Sequence, residues 1–208
     1  MKTLTIFLLF LFLPFGSFAF ASNSKILVFG DSLSAAYNIP TEKGWVTLLQ
    51  NKLVEQKFTT SITNASISGE TSSGGLVRFQ SQLDKTMPDI VILELGANDG
   101  LRGYDLSTTH QNLLKMVNMS HQKGAKVLLA GVHMPPNYGR TYTQKFDRIF
   151  TELAKMEKVK LIPFILEGVA TNQDLMLRDG LHPNEKGQQV IVETVSDYLM
   201  PMLQPLHQ

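Results

Sequence analysis

The sequence predicts an α/β fold of three layers, with helices on both faces of a five-stranded parallel sheet. Strand and helix patterns alternate about five times along the chain, and such alternation builds parallel sheets with right-handed crossovers. The clearest strands are continuous apolar runs, as strands covered on both faces are. The 208 residues suit one domain with a sizeable core.

The first strand is Lys25 to Phe29, an apolar run bounded by Gly30, after which the chain presents Asp31 and Ser32. Gly44 to Gln56 carries Trp45, Leu48, Leu49 and Leu53 at helical spacing, one apolar face of an amphipathic helix. Trp45 is assigned to the core or a pocket wall. Thr59 to Ala65 alternates β-branched and polar residues and reads as the second strand. It leads into Ser66 to Gly75, a loop dense in small residues, where Gly69 allows a backbone N–H to approach a ligand closely.

Leu76 to Leu83 reads as a short helix stopped by Pro88, and Asp89 to Leu95 as the third strand. That strand ends in a second glycine-bounded polar turn, Gly96 to Gly100. Leu106 to Lys123 forms the next helix, with Gly124 at the position that ends it. Lys126 to Val132 is the fourth strand, and an aromatic, proline-rich loop follows from Met134 to Gly139. Phe146 to Leu153 marks a helix, Val159 to Phe164 the fifth strand, and Ile165 to Asn172 a short helix. Pro183 and Asn184 signal the start of the last helix, whose apolar face is Ile191, Val195, Tyr198, Leu199 and Met202.

Residues 1–21 stand outside this pattern. Lys2 precedes an apolar run from Leu4 to Phe15, and Ala19-Phe20-Ala21 fits a signal-peptidase site with a mature start at Ser22. The run is short for a membrane span. The chain is therefore expected to be exported, to the periplasm or beyond, with residues 22–208 as a single domain and no stable membrane anchor. It has no cysteine, so no disulfide contributes to its stability. The formal net charge of +1 gives no reason to expect nucleic acid as a partner. The sequons at Asn64 and Asn118 are discounted as chance matches.

In a parallel sheet the turns after the strands share one edge, where ligands bind. Gly30 to Ser34, Ser68 to Glu70, Gly96 to Gly100 and Asp179 to His182 can therefore converge. Serine needs a base to become a nucleophile, and histidine suits that task near neutrality. Asp179 lies three residues before His182, close enough to fix the imidazole tautomer. The N–H groups of Ser32 and Gly69 and the amide of Asn98 are candidate donors to an oxyanion. Asp31 and Asp99 are assigned to bracing their loops. His110, His121, His133 and His207 are assigned to surface or packing roles.

Gly30-Asp31-Ser32-Leu33, Gly69, Gly96-Ala97-Asn98-Asp99 and Asp179-Gly180-Leu181-His182 resemble, in order and spacing, the four blocks of the GDSL or SGNH hydrolase family. The resemblance spans essentially the whole chain after the leader. Asn64 to Gly69, Glu94 to Gly103, Asn137 to Arg140 and Pro163-Phe164 resemble the bacterial branch of that family that acts on thioesters and lysophospholipids. The resemblance implies a flavodoxin-like sheet, Ser32 as nucleophile, His182 as base and Asp179 as its orienting partner. It also implies an oxyanion hole of Ser32, Gly69 and Asn98, a small acyl ester, thioester, aryl ester or lysophospholipid as substrate, and no cofactor or metal. A monomer is expected. The α/β-hydrolase elbow G-x-S-x-G is absent.

Two further readings are open at this stage. One is a metal-dependent phosphoesterase using Asp31, Asp99, His133, Asp179 and His182. The other is a lipid- or glycan-binding module without catalysis. Pocket walls are expected from Ser72 to Arg78, Leu101 to Asp105 and Met134 to Tyr142.

Overall fold

The computed structural model describes residues 24–203. The leader, the cleavage site and His207 lie outside the described residues. Five strands, β1 (Ser24–Gly30), β2 (Thr60–Asn64), β3 (Ile90–Glu94), β4 (Lys126–Ala130) and β5 (Val159–Ile162), pair in parallel in the order β2-β1-β3-β4-β5. β1, β3 and β4 are central, and Leu27, Val28, Phe29, Val91, Ile92, Leu93, Leu128 and Leu129 are fully buried. That position accounts for their unbroken apolar runs. β2 lies on an edge and is half exposed, which accounts for its Thr, Ser and Asn content.

The helices are α1 (Trp45–Glu55), α2 (Ser72–Thr86), α3 (Ala97–Leu101), α4 (Leu106–Gln122), α5 (Arg140–Leu153) and α6 (Glu185–Leu203). α1 packs with α6, and the Trp45 N–H donates to Gln188 Oε1 at 2.9 Å between them. α4 packs against both α2 and α5. The expected helix ends hold at two points. Asn184 Oδ1 accepts from the N–H groups of Lys186 and Gly187, capping α6. Gly124, at φ +82°, follows α4.

Several expectations need correction. α2 begins at Ser72, not Leu76, because Thr71 caps it by accepting from the Gly74 N–H. Its glycines serve packing, since a Cβ on Gly75 would stand 2.7 Å from Leu95 Cδ1 and 3.1 Å from Phe29 Cε1. α5 begins at Arg140, six residues ahead of its first fully buried side chain, Phe146, so its first turns carry no apolar signal. Ile165 to Asn172 is a series of turns, with Gly168 at φ +73°. Gly96 to Gly100 is not an open turn but leads into the short helix α3.

The strand order places β1 between β2 and β3. The chain leaves β1 toward one side and returns to the other, which opens a crevice at the carboxyl ends of β1 and β3.

Candidate active site

The crevice is built from the end of β1. Register places Gly30 opposite Glu94. Glu94 is fully buried, and its Oε2 accepts from the Asp31 N–H at 3.1 Å and the Ser34 hydroxyl at 2.8 Å. A Cβ on residue 30 would stand 2.5 Å from that oxygen, so glycine alone leaves the carboxyl its place. Burial pushes the Glu94 carboxyl well above the usual carboxylate range, and the neighbouring Asp31 adds to the shift. Burial also raises Asp31, to about 6, against the opposing bonds from the Leu33 N–H and the Asn98 amide. Two acids this close do not both ionise readily, and burial favours the neutral form of each.

Ser32 follows this buried pair. Its Oγ lies 2.8 Å from His182 Nε2, and His182 Nδ1 lies 2.7 Å from Asp179 Oδ2. The carboxylate at Nδ1 holds the ring proton there and leaves Nε2 as an acceptor for the serine hydroxyl. Asp179 is itself fixed, because its Oδ1 accepts from the Leu181 and His182 N–H groups at 2.9 and 3.0 Å. Its partial burial acts to raise the carboxyl. The Leu181 N–H and the His182 side chain and N–H outweigh that and hold it below its usual value. Tyr37 packs over the imidazole, with ring centroids 4.4 Å apart.

The candidate oxyanion donors face the same cleft, since Ser32, Gly69 and Asn98 all line it. Gly69 has φ +78°, a conformation that side chains other than glycine resist. Among the described residues the Ser32 and Gly69 N–H groups donate to no protein acceptor. Asn98 stands in the first turn of α3, and its Nδ2 donates to Asp31 Oδ2 at 2.9 Å. Arg102 donates to the Gly69 carbonyl at 3.1 Å and approaches Asn98 Oδ1 at 3.5 Å. A cation on the oxygen side and a carboxylate on the nitrogen side leave the amide one orientation. Among the described residues its second N–H has no acceptor.

The cleft encloses about 550 Å³. Leu101 and Met134 to Pro136 line it as expected, and Phe164, Leu166 and Met176 add walls that were not. Ser72 to Arg78 does not line it, because those residues are packed into α2. Asp99 braces rather than reacts. Its carboxylate accepts from the Ser72 N–H at 2.8 Å, the Ser72 hydroxyl at 2.6 Å and the Thr109 hydroxyl at 3.3 Å. His133 pairs with Asp147 through Nδ1, and among the described residues the donor set of the phosphoesterase reading does not assemble. Among the described residues, no three His, Cys, Asp or Glu side chains gather to hold a metal ion. Sequence reasoning missed Glu94, Tyr37 and Asp147 as site components, and it placed Arg102 only in a pocket wall, not against Asn98 and Gly69.

Residues 28–190 match the model of the GDSL-like lipase/acylhydrolase family. The chain is 45% identical to the Pseudomonas aeruginosa protein named esterase TesA, over 88% of this chain and 91% of that one. It is 40% identical to the Escherichia coli protein named thioesterase 1/protease 1/lysophospholipase L1, over 93% of this chain and 92% of the other. The crystal structure of TesA superposes with a TM-score of 0.84 at 45% identity, covering 86% of this chain and 99% of that one.

Proposed function

Because the chain belongs to the GDSL-like lipase/acylhydrolase family and is a hydrolase of esters and thioesters, we propose that it cleaves them through an acyl-enzyme on Ser32. The observation that carries this reading is the unbroken line from Asp179 Oδ2 through His182 to Ser32 Oγ, at 2.7 and 2.8 Å.

As Ser32 Oγ attacks the acyl carbon, its proton passes to His182 Nε2 and the carbonyl oxygen becomes an oxyanion. Asp179 stabilises the imidazolium through Nδ1–H. The oxyanion accepts from the N–H groups of Ser32 and Gly69 and from the free N–H of Asn98. Collapse of the intermediate breaks the bond to the alcohol or thiol, which leaves with the proton from Nε2. Water then repeats the sequence on the acyl-serine and releases the acid. No cofactor enters. The apolar cleft beside Ser32 suits an acyl chain, and aryl esters, acyl thioesters and lysophospholipids are the proposed substrates.

A fluorophosphonate should label Ser32, and Ser32→Ala should lose both label and turnover. Label on another serine would overturn the assignment. We further propose that residues 22–208 act as one exported, monomeric domain after removal of residues 1–21. Among the described residues no helix is long and apolar enough to cross a membrane. An amino terminus other than Ser22 on the exported protein would refute the cleavage site.

A further inference from the structure

The cleft contains a second histidine–aspartate pair that the proposed chemistry leaves unused. His133 lies just beyond β4, and its Nδ1 stands 2.8 Å from Asp147 Oδ1 on α5. Its ring packs on Phe164, with centroids 4.5 Å apart. One nitrogen and one ring face are thereby fixed. The side chain is still 47% exposed and lines the cleft, and its Nε2 has no partner among the described residues.

β4 is two strands from β1 in the sheet, so His133 stands roughly 10 Å along the sheet edge from the Ser32 turn. The walls around it are Val132, Met134, Phe164 and Leu166. An apolar chain gains nothing from a hydrogen-bonding nitrogen in such a wall. A substrate that carries a polar group at that distance does.

We propose that His133, held by Asp147, is a specificity subsite for a neutral hydrogen-bonding group, a hydroxyl or an amide, on the substrate. The inference rests on the hydrolytic reading above. The pair favours a neutral group over an anion because the Asp147 carboxylate offsets any charge the imidazole gains. The polar group can belong to the leaving group or to the acyl chain.

Two matched pairs of substrates separate those sources. On the leaving-group side, the octanoyl thioester of N-acetylcysteamine is compared with its S-pentyl analogue, which lacks the amide. On the acyl side, p-nitrophenyl 6-hydroxyhexanoate is compared with p-nitrophenyl hexanoate. The readout is the ratio of kcat/KM, polar member over plain member, so any general loss of activity cancels.

His133→Phe keeps an aromatic ring against Phe164 and removes the nitrogen. It should lower the ratio roughly three- to tenfold in one arm, the scale of one neutral hydrogen bond. Asp147→Asn, which leaves the imidazole but loosens its tautomer, should lower the same ratio by less. A fall in either arm supports the subsite and says which side of the substrate it reads. Ratios unchanged in both arms overturn it, as does an equal loss on both members, which is what a mere tie between loop and helix would give. Fluorophosphonate labelling of Ser32 is scored in parallel, so a labelled protein with unmoved ratios refutes the subsite alone.

Discussion

His182 and His133 each hold an aspartate through Nδ1, at 2.7 and 2.8 Å, and both line one cleft. They differ in what stands beyond Nε2. For His182 it is the Ser32 hydroxyl at 2.8 Å, and for His133 it is open cleft. The pairs also differ in assembly. Asp179 and His182 belong to one turn, whereas His133 and Asp147 are joined only when α5 packs against α4 and β5. If the two proposed roles hold, a carboxylate-held imidazole is no catalyst in itself. It prepares a nitrogen, and the neighbour of that nitrogen decides whether the result is proton transfer or recognition.

The largest expected effect comes from treating the two histidines alike. His182→Ala should lower kcat on a soluble p-nitrophenyl ester by on the order of 10⁵–10⁶, while His133→Ala should cost less than tenfold. Comparable losses, measured on folded variants, would erase the distinction. Next come the neighbours Asn98 and Asp99. Asn98→Ala removes a donor whose partner is charged only in the transition state, so kcat should fall by about 10²–10³ with KM little changed. Asp99→Asn should spare kcat by comparison and cost stability, about 1–3 kcal/mol, because one acceptor is lost at Ser72 or Thr109. The reverse ranking in kcat would remove Asn98 from the proposed oxyanion hole.

The smallest effect concerns the buried acids under Ser32. Asp31 rises in the fold from 3.8 to about 6, and Glu94 rises also. Across that interval the folded chain binds more protons than the unfolded one, so the Asp31 contribution to stability is complete below its unfolded value and is lost as pH rises through about 6, and that of Glu94 declines with rising pH in the same sense. Asp179, held low, acts in the opposite sense and only in stronger acid, as pH falls through its folded value. Thermal unfolding of the parent chain and of Glu94→Gln, compared between about pH 5 and 7.5, reads the share of this acid. Glu94→Gln should flatten the decline, and an unchanged slope would show that Glu94 takes up no proton on folding.

The sequence reads well where a residue type and its local spacing suffice. Ser32 and Gly69 stand in turns beyond β1 and β2 and Asn98 in the short helix after β3, so parallel pairing brings these three together, and Asp179 precedes His182 by one turn. The strands were legible for the same reason, since apolar runs mark the central ones. What failed depends on register or on docking. Glu94 looks like the polar end of β3 until Gly30 is placed beside it. His133 looks like a surface histidine because Asp147 lies fourteen residues away on another element. The start of α2 hides in small residues whose use, close packing at Gly75, has no local signature.

The distance in chain between Ser32 and His182 has a consequence for the newly made protein. They are 150 residues apart, and His182 closes the site only when the turn before α6 is seated. During synthesis Ser32, Gly69 and Asn98 emerge well before His182, the proposed base. A chain not yet made as far as His182 would hold an inert serine. On that proposal, reactivity toward acyl groups would begin only once α6 has docked and seated His182, which ties the onset of activity to the packing of that helix.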